Sequence, residues 1–239
     1  MADILLEVCV EDAAGLGAAL RGGAGRIELC SALALGGLTP SPGLMQAAAQ
    51  AGRPVLAMIR PRAGDFVWSS EDLRQMRGDI AAARAAGLAG VVLGASRPDG
   101  RLDEWLLSTL IAEAAGMDLT LHRCFDLTPD KEAALETAVA LGFSRILTSG
   151  GAATAPEGAE TLARLFARAG ARISILPGAG ISPATLAALA HLPLREVHAS
   201  CSMAEPAAPG IAALGFGTPE RRVTSEAATR ALVAALKKM

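Results

Sequence analysis

Short apolar segments alternate with longer amphipathic segments along the chain. Each cycle has four to seven apolar, often β-branched residues, then a polar or glycine-rich loop, then an Ala/Leu/Arg stretch with helical spacing. A cycle spans about 25 to 30 residues, the size of a βα unit. The pattern predicts strands at residues 4–10, 25–30, 54–59, 89–93, 118–122, 144–148, 172–176 and 195–199. It predicts helices at residues 11–21, 43–51, 70–86, 103–115, 130–141, 157–169, 183–190 and 225–237.

Strict alternation of eight such units predicts the fold. In a chain of 239 residues it favours an α/β protein with one domain, a (β/α)8 TIM barrel over residues 1–239, rather than an open doubly wound sheet. The first βα turn, CVEDAAG, also lacks the GxGxxG of a Rossmann-like sheet. Residues 201–224 form the longest connection, after strand eight, and such loops serve as lids, mobile surface segments or subunit interfaces.

Composition narrows the class of partner. Hydrophobic residues make up 51% of the chain, the formal net charge is -2, and no long basic or acidic run occurs. These features disfavour nucleic-acid and membrane-surface binding, so we expect a small-molecule partner. The first residues show no export signal, and no segment approaches the ~18 apolar residues of a membrane span. We therefore expect a cytoplasmic protein and, because many barrels pair, a homodimer.

Four cysteines are widely spaced, at positions 9, 30, 124 and 201, without a CxxC pair. Disulfides are not expected in this pattern. A free cysteine most often packs as a small hydrophobic residue. Strands eight, one and two are neighbours in a closed barrel, however, so Cys9, Cys30 and Cys201 can converge, and thiolates suit Cu(I) better than magnesium or calcium. Packing and metal binding through Cys9 and Cys30 both remain open.

Reactive side chains gather where strands end and βα loops begin, the face on which barrel enzymes carry their active sites. The candidate catalytic residues there are Glu7, Glu28, Arg60, His122, Arg123 and Asp126. Buried glutamates are almost always paired, so we expect Glu7 and Glu28 to contact Arg60, Arg123 or His122. Two interpretations stay open: an internal salt-bridge network, or an acid/base pair with one raised pKa.

Glycines after strands six and seven, in LTSGG and LPGAG, predict an anion-binding site, because backbone N–H groups there can approach a phosphate or carboxylate. The candidate anion-binding residues are Ser149, Gly150, Gly151, Gly178, Gly180, His198 and Ser200. Left-handed turns alone also require glycine, so a purely structural role is the alternative.

Seven segments between residue 5 and about residue 200 follow one another in an order shared with a known family. They are LEVCV, RIELCSALALGGLTPSPG, MIRPRAGDFVWS, LHRCFD, RILTSGG, LPGAGISP and VHAS. Together they resemble the CutC family, known as copper homeostasis proteins. The resemblance implies a cytoplasmic TIM barrel that handles copper. The family's candidate copper-binding thiols match Cys9 and Cys30, whereas Cys124 and Cys201 stand where the family usually has alanine.

Two functional hypotheses follow. The first is a copper homeostasis protein of the CutC type that binds Cu(I) through Cys9 and Cys30. The second is a TIM-barrel enzyme of unknown reaction acting on a small anionic metabolite, a phosphate or a carboxylate. In that enzyme His122 or Glu28 moves a proton, while Arg60, Arg123 and the glycine loops hold the anion. A rim that mediates protein contacts is a third possibility.

Overall fold

Eight parallel strands form a nearly closed barrel in this computed structural model, which describes residues 4–239. The strands are β1 (Leu5–Val10), β2 (Arg26–Leu29), β3 (Val55–Met58), β4 (Gly90–Leu93), β5 (Asp118–Leu121), β6 (Arg145–Thr148), β7 (Ser174–Pro177) and β8 (Glu196–Ala199). The hydrogen-bonded ladder runs from β7 back to β1 and on to β8, and β7 lies beside β8. The predicted TIM barrel is therefore confirmed.

Helices follow most strands, and all of them except the sixth begin at a side-chain cap. They are α1 (Ala13–Gly22), α2 (Pro42–Ala48), α3 (Ser70–Ala85), α4 (Glu104–Glu113), α5 (Lys131–Ala140), α6 (Ala159–Ala169) and α7 (Glu226–Leu236). Ser41 caps α2 ahead of Pro42, and Ser69 with Asp72 forms a capping box at α3. Within residues 4–239, no helix has the length and apolar character needed to cross a bilayer.

The prediction of a helix at residues 183–190 is wrong. The structure has only a 3-10 turn there, Leu186–Leu189. The Thr185 hydroxyl donates to the carbonyls of Gly180 and Ser182 and accepts from the Ser182 amide. Such local side-chain bonds compete with helical hydrogen bonding.

The long connection after β8 is folded as an antiparallel hairpin. Its strands are β9 (Ser202–Pro206) and β10 (Glu220–Thr224), with Met203 opposite Val223. The Pro, Gly and Ala residues that suggested a loop lie mostly in the segment 207–219 that joins the two strands. The hairpin stands beside the mouth of the barrel and forms part of a cavity wall.

Apolar packing fills the space between the barrel and its helices, while the barrel interior is largely polar. On β1, Leu6, Val8 and Val10 belong to the outer apolar cluster, whereas Glu7 and Cys9 alternate with them and face inward. The apolar residues inside the barrel form a small separate cluster: Cys30, Leu56, Met58 and Val92. The alternation of side chains along each strand thus delivers charged groups to the interior.

Candidate functional site

Glu7 is fully buried inside the barrel between two cationic side chains. Arg26 Nε donates to Glu7 Oε2, and His198 Nδ1 lies 2.8 Å from Glu7 Oε1. Burial alone would raise the pKa of Glu7, but the hydrogen bond from His198 and the charge of Arg26 outweigh it and lower the pKa to about 2. The expected pairing of Glu7 with Arg60, Arg123 or His122 is wrong. Arg26 lies directly opposite Glu7 in the β1–β2 register, at the start of its strand rather than at its end.

The ion pairs continue from Arg26 toward the amino ends of the strands. Arg26 Nη2 donates to Glu196 Oε2 at 2.6 Å, and Glu196 Oε1 lies 3.6 Å from Arg145 Nε. Arg145 Nη2 donates in turn to Asp118 at 2.7 Å. These residues were not predicted from the sequence, because functional side chains were expected only at the carboxyl ends of the strands. An inward-facing charge at a strand's first residue was the signal available.

His198 links Glu7 to Glu28 at the floor of the barrel mouth. Its Nε2 lies 3.8 Å from Glu28 Oε2, while Nδ1 is held by Glu7. Burial would lower the pKa of His198, but the nearby Glu28 carboxylate and Cys9 thiol raise it well above its usual value. Burial raises the pKa of Glu28, and its Oε1 has no hydrogen-bond partner among the described residues. His198 and Glu28 therefore form one buried pair of titratable groups.

Two thiols border the same site. The ligand atoms of Cys9, Glu28 and His198 all lie within 4.8 Å of one another, and all three residues are buried. Cys30 Sγ lies 3.5 Å from Glu28 Oε2, and burial together with the Glu28 carboxylate raises the pKa of this thiol well above its usual value. The two predicted metal ligands, Cys9 and Cys30, therefore both lie near Glu28. His198 joins them, although the sequence had suggested this residue only for anion binding.

A cavity of about 1230 Å³ opens above this floor at the carboxyl ends of the strands. The predicted site residues that line it are Cys9, Glu28, Arg60, His122, Arg123, His198 and Ser200. Its wall also includes Phe66 and, from the hairpin and its connection, Ile211 and Phe216. The structure therefore brings together residues from β1, β2, β8 and the loops after β3 and β5.

Arg60 and His122 both line the cavity, and the Phe66 ring lies close to each of them. The guanidinium carbon of Arg60 lies 4.9 Å from the centre of the Phe66 ring, and the centres of the Phe66 and His122 rings are 4.8 Å apart. Burial and the positive charge of Arg60 lower the pKa of His122 to about 3, so its imidazole is neutral.

The loop after β6 is held by a side chain of the protein itself. Asp126 accepts hydrogen bonds from the backbone N–H groups of Ser149 and Gly151, and the Thr148 hydroxyl accepts from the Gly150 N–H. Arg123 donates to Asp126 at 2.7 Å and to the Ser149 hydroxyl at 2.7 Å. The backbone donors predicted to hold an external anion therefore already have partners.

The other predicted anion-binding residues have different surroundings. Gly178 packs closely, because a Cβ there would lie 2.5 Å from Leu147 Cδ1. Gly180 adopts a left-handed conformation, with φ of 72°. Ser200 Oγ lies 2.9 Å from Ser202 Oγ at the base of the hairpin. Of this set, Ser200 and His198 reach the cavity.

Comparisons with known proteins give one consistent family. A model of the CutC family matches residues 4–203. A CutC family protein of Sinorhizobium medicae is 63% identical over 235 residues, covering 98% of this chain and 96% of that protein. A CutC family protein of Caulobacter vibrioides is 52% identical over 238 residues, covering 98% of this chain and 97% of that protein.

A solved structure agrees with these relatives. It is a crystal structure bearing the name copper homeostasis protein CutC, from Streptococcus agalactiae. Its TM-score to this chain is 0.79 at 32% sequence identity, and the match covers 82% of this chain and 98% of that one. Similarity in sequence and similarity in fold therefore lead to the same family.

Proposed function

The chain belongs to the CutC family, and from this premise we propose that it binds Cu(I) at the floor of the barrel cavity. Cys9, Cys30 and His198 supply the soft and borderline ligand atoms, and Glu28 lies among them. The copper ion is the cargo of a homeostasis protein in this proposal. Thiolate and imidazole are ligands that suit copper, whereas magnesium and calcium prefer sites made of oxygen atoms.

The spacing of the ligand atoms is the observation that carries the proposal. Metal–ligand bonds of roughly 2.0–2.3 Å place the ligands of one ion within about 4.5 Å of each other. The ligand atoms of Cys9, Glu28 and His198 lie within 4.8 Å of one another before any ion is considered. Cys9, Glu28 and His198 therefore fit one small ion with slight movement of side chains, and Cys30 lies beside this group through its contact with Glu28.

Hydrogen bonds outside the ligand set support the same site. Glu7 holds His198 through Nδ1, which leaves Nε2 toward Glu28 and Cys9. A carboxylate behind a ligating histidine fixes the orientation of the ring and increases its basicity. The Cys30 thiol and the His198 imidazolium must each lose a proton to bind an ion, so binding releases protons.

Anaerobic titration of reduced protein with Cu(I) against a competing chelator tests this proposal. Cys9→Ser and Cys30→Ser should each weaken binding by about tenfold or more. Cys124→Ser is the matched control, because Cys124 is buried but lies outside the donor set. Wild-type binding no tighter than micromolar, or equal affinity in all four proteins, would contradict the proposal.

Glu28 and His198 also favour a second candidate function, an enzyme that transfers a proton to or from a small anionic metabolite. The two groups lie 3.8 Å apart beneath a cavity large enough for such a molecule. Incubating metabolite pools with the protein in D₂O tests this function, because proton transfer at carbon incorporates deuterium that NMR detects. Exchange should be lost in Glu28→Gln. Absence of exchange in the wild type would contradict this function and leave the copper proposal unaffected.

A further inference from the structure

Arg60 is a buried cation without a carboxylate partner in the described part of the chain. It is only 6% exposed. Its Nη1 donates to the carbonyl oxygens of Leu35 at 2.8 Å and Gly37 at 3.2 Å, and its Nη2 donates to that of Gly64 at 3.0 Å. Carbonyls satisfy hydrogen bonds but do not neutralise a charge, so a full positive charge remains beside the cavity.

The other arginines of the barrel differ from Arg60 in this respect. Arg26 contacts both Glu7 and Glu196, and Arg145 contacts Asp118. Arg123, at the rim, pairs with Asp126. Each of these cations is matched by an acidic group of the protein. Among these four arginines, only Arg60 has no acidic partner at any position that the structure describes, so the place of its counter-ion is free for a bound anion.

Arg60 and His122, which both line the cavity, each carry a buried donor without a partner in the described chain. Arg60 Nε is buried and has no hydrogen-bond partner among residues 4–239, and His122 Nε2 is in the same state. His122 Nδ1 accepts a hydrogen bond from the Cys124 N–H, so the single proton of the neutral ring lies on Nε2. Leaving a buried donor unpaired is unfavourable, and a ligand whose acceptor oxygens reach these atoms removes that cost.

The lining of the cavity is mostly apolar by area, although the charged residues Glu11, Asp12, Glu220, Arg221 and Arg222 also contribute to it. Leu33, Met58, Phe66 and Leu147 line it from the barrel side, and Ile211 and Phe216 line it from the hairpin connection. A cavity of about 1230 Å³ is also far larger than an inorganic anion requires. The geometry calls for a molecule with an apolar body and one charged end.

We propose that this cavity binds a small organic anion, a carboxylate or phosphate attached to an apolar body, whose charged group is held by Arg60 and His122. This inference deepens the second candidate function by naming its substrate class, and it uses none of the groups proposed to bind copper. The proposed site differs from the one predicted from the sequence, because it excludes Arg123 and the loop after β6. Their donors already bind Asp126.

Calorimetric titration of the metal-free protein in the presence of a chelator tests the proposal. The probes are benzoate, phenyl phosphate and, as a neutral analogue, phenol. At least one anion should bind about tenfold or more tightly than phenol. Preference for benzoate or for phenyl phosphate identifies which oxyanion the site takes, and either supports the proposal. Equal binding of all three probes, or none at millimolar concentration, would overturn it.

Two substitutions test whether Arg60 and His122 hold the anion. Arg60→Gln and His122→Asn should each weaken anion binding by about tenfold or more. Asn can still accept the hydrogen bond from Cys124 through its amide oxygen, so His122→Asn remains informative if Arg60→Gln fails to fold. Arg62→Gln is the charge-matched control, because Arg62 pairs with Asp65 and Asp72 and does not line the cavity. Unchanged affinity in His122→Asn would overturn the assignment. Binding without proton exchange would separate this inference from the proposed enzyme activity.

Discussion

His198 Nδ1 lies 2.8 Å from Glu7 Oε1, and the two residues stand directly opposite each other in the parallel register of β8 and β1. On the other side, the β1–β2 register places Arg26 opposite the same Glu7. Strand pairing therefore surrounds one buried carboxylate with two cations. Glu7 connects the ion pairs below it to the candidate metal site above it.

Replacing Glu7 by Gln should destabilise the protein by about 3–5 kcal/mol near pH 7, because Arg26 and His198 lose their shared counter-ion. The folded pKa of Glu7, about 2, lies below its ordinary value of 4.5. The stability that the ionised Glu7 contributes is therefore fully present above pH 4.5 and is lost as the pH falls toward 2. Urea unfolding of both proteins between pH 7 and pH 3 should show the difference shrinking. A constant difference would contradict the assignment.

Arg26→Met should cost about 3–5 kcal/mol, because the buried carboxylates of Glu7 and Glu196 lose the arginine that they share. The matched control is Arg21→Met. Arg21 is 65% exposed in its side chain and pairs with Glu226 at the surface, so its loss should cost less than about 1 kcal/mol. Denaturant midpoints of the two variants measure the contrast, and equal midpoints would argue against a buried network.

Gly94→Ala should destabilise the protein by about 1–3 kcal/mol or more. An added Cβ would lie 2.4 Å from both Cys124 Sγ and His122 Cε1, which have little room to move. Gly78→Ala serves as the control, since nothing lies within 4 Å of its Cβ on the exposed face of α3. That change should stabilise by about 0.5–1 kcal/mol. Thermal unfolding should move the two melting temperatures in opposite directions.

His198→Asn should weaken Cu(I) binding by about tenfold or more, because it removes Nε2 from the donor set. Its amide can still donate to Glu7, which limits the loss of stability. His191→Asn, at an exposed position, should leave the affinity unchanged. The competition titration compares the three proteins, and equal affinities would remove His198 from the proposed ligands.

Asp126→Ala should lower stability by about 2–4 kcal/mol and leave Cu(I) affinity unaltered. It removes the acceptor of the Ser149 and Gly151 N–H groups and the partner of Arg123. Asp99→Ala, which breaks an exposed pair with Arg101, should leave the stability almost unchanged. Loss of copper affinity in Asp126→Ala would show that this residue has a role at the site itself.

The apolar spacing of the sequence predicts all eight barrel strands, because each strand buries side chains against the helices. It fails at residues 183–190, where the Thr185 hydroxyl accepts from the Ser182 N–H and donates to the Gly180 carbonyl in place of a helical turn. It also predicts that Cys9, Glu28 and Cys30 meet at one end of the barrel. The partner of Glu7 was not predictable in the same way, because Arg26 is brought opposite it only by the register of two strands.

The hairpin of β9 and β10 shapes the cavity but carries none of the candidate metal ligands on its floor. The floor of the cavity lies within residues 4–203, the part matched by the family model, whereas most of the hairpin follows it. The wall and the floor are therefore carried by different parts of the chain, so substitutions in the hairpin can change which molecules fit without changing the groups on the floor. Selectivity and chemistry are free to evolve at different rates in such a barrel.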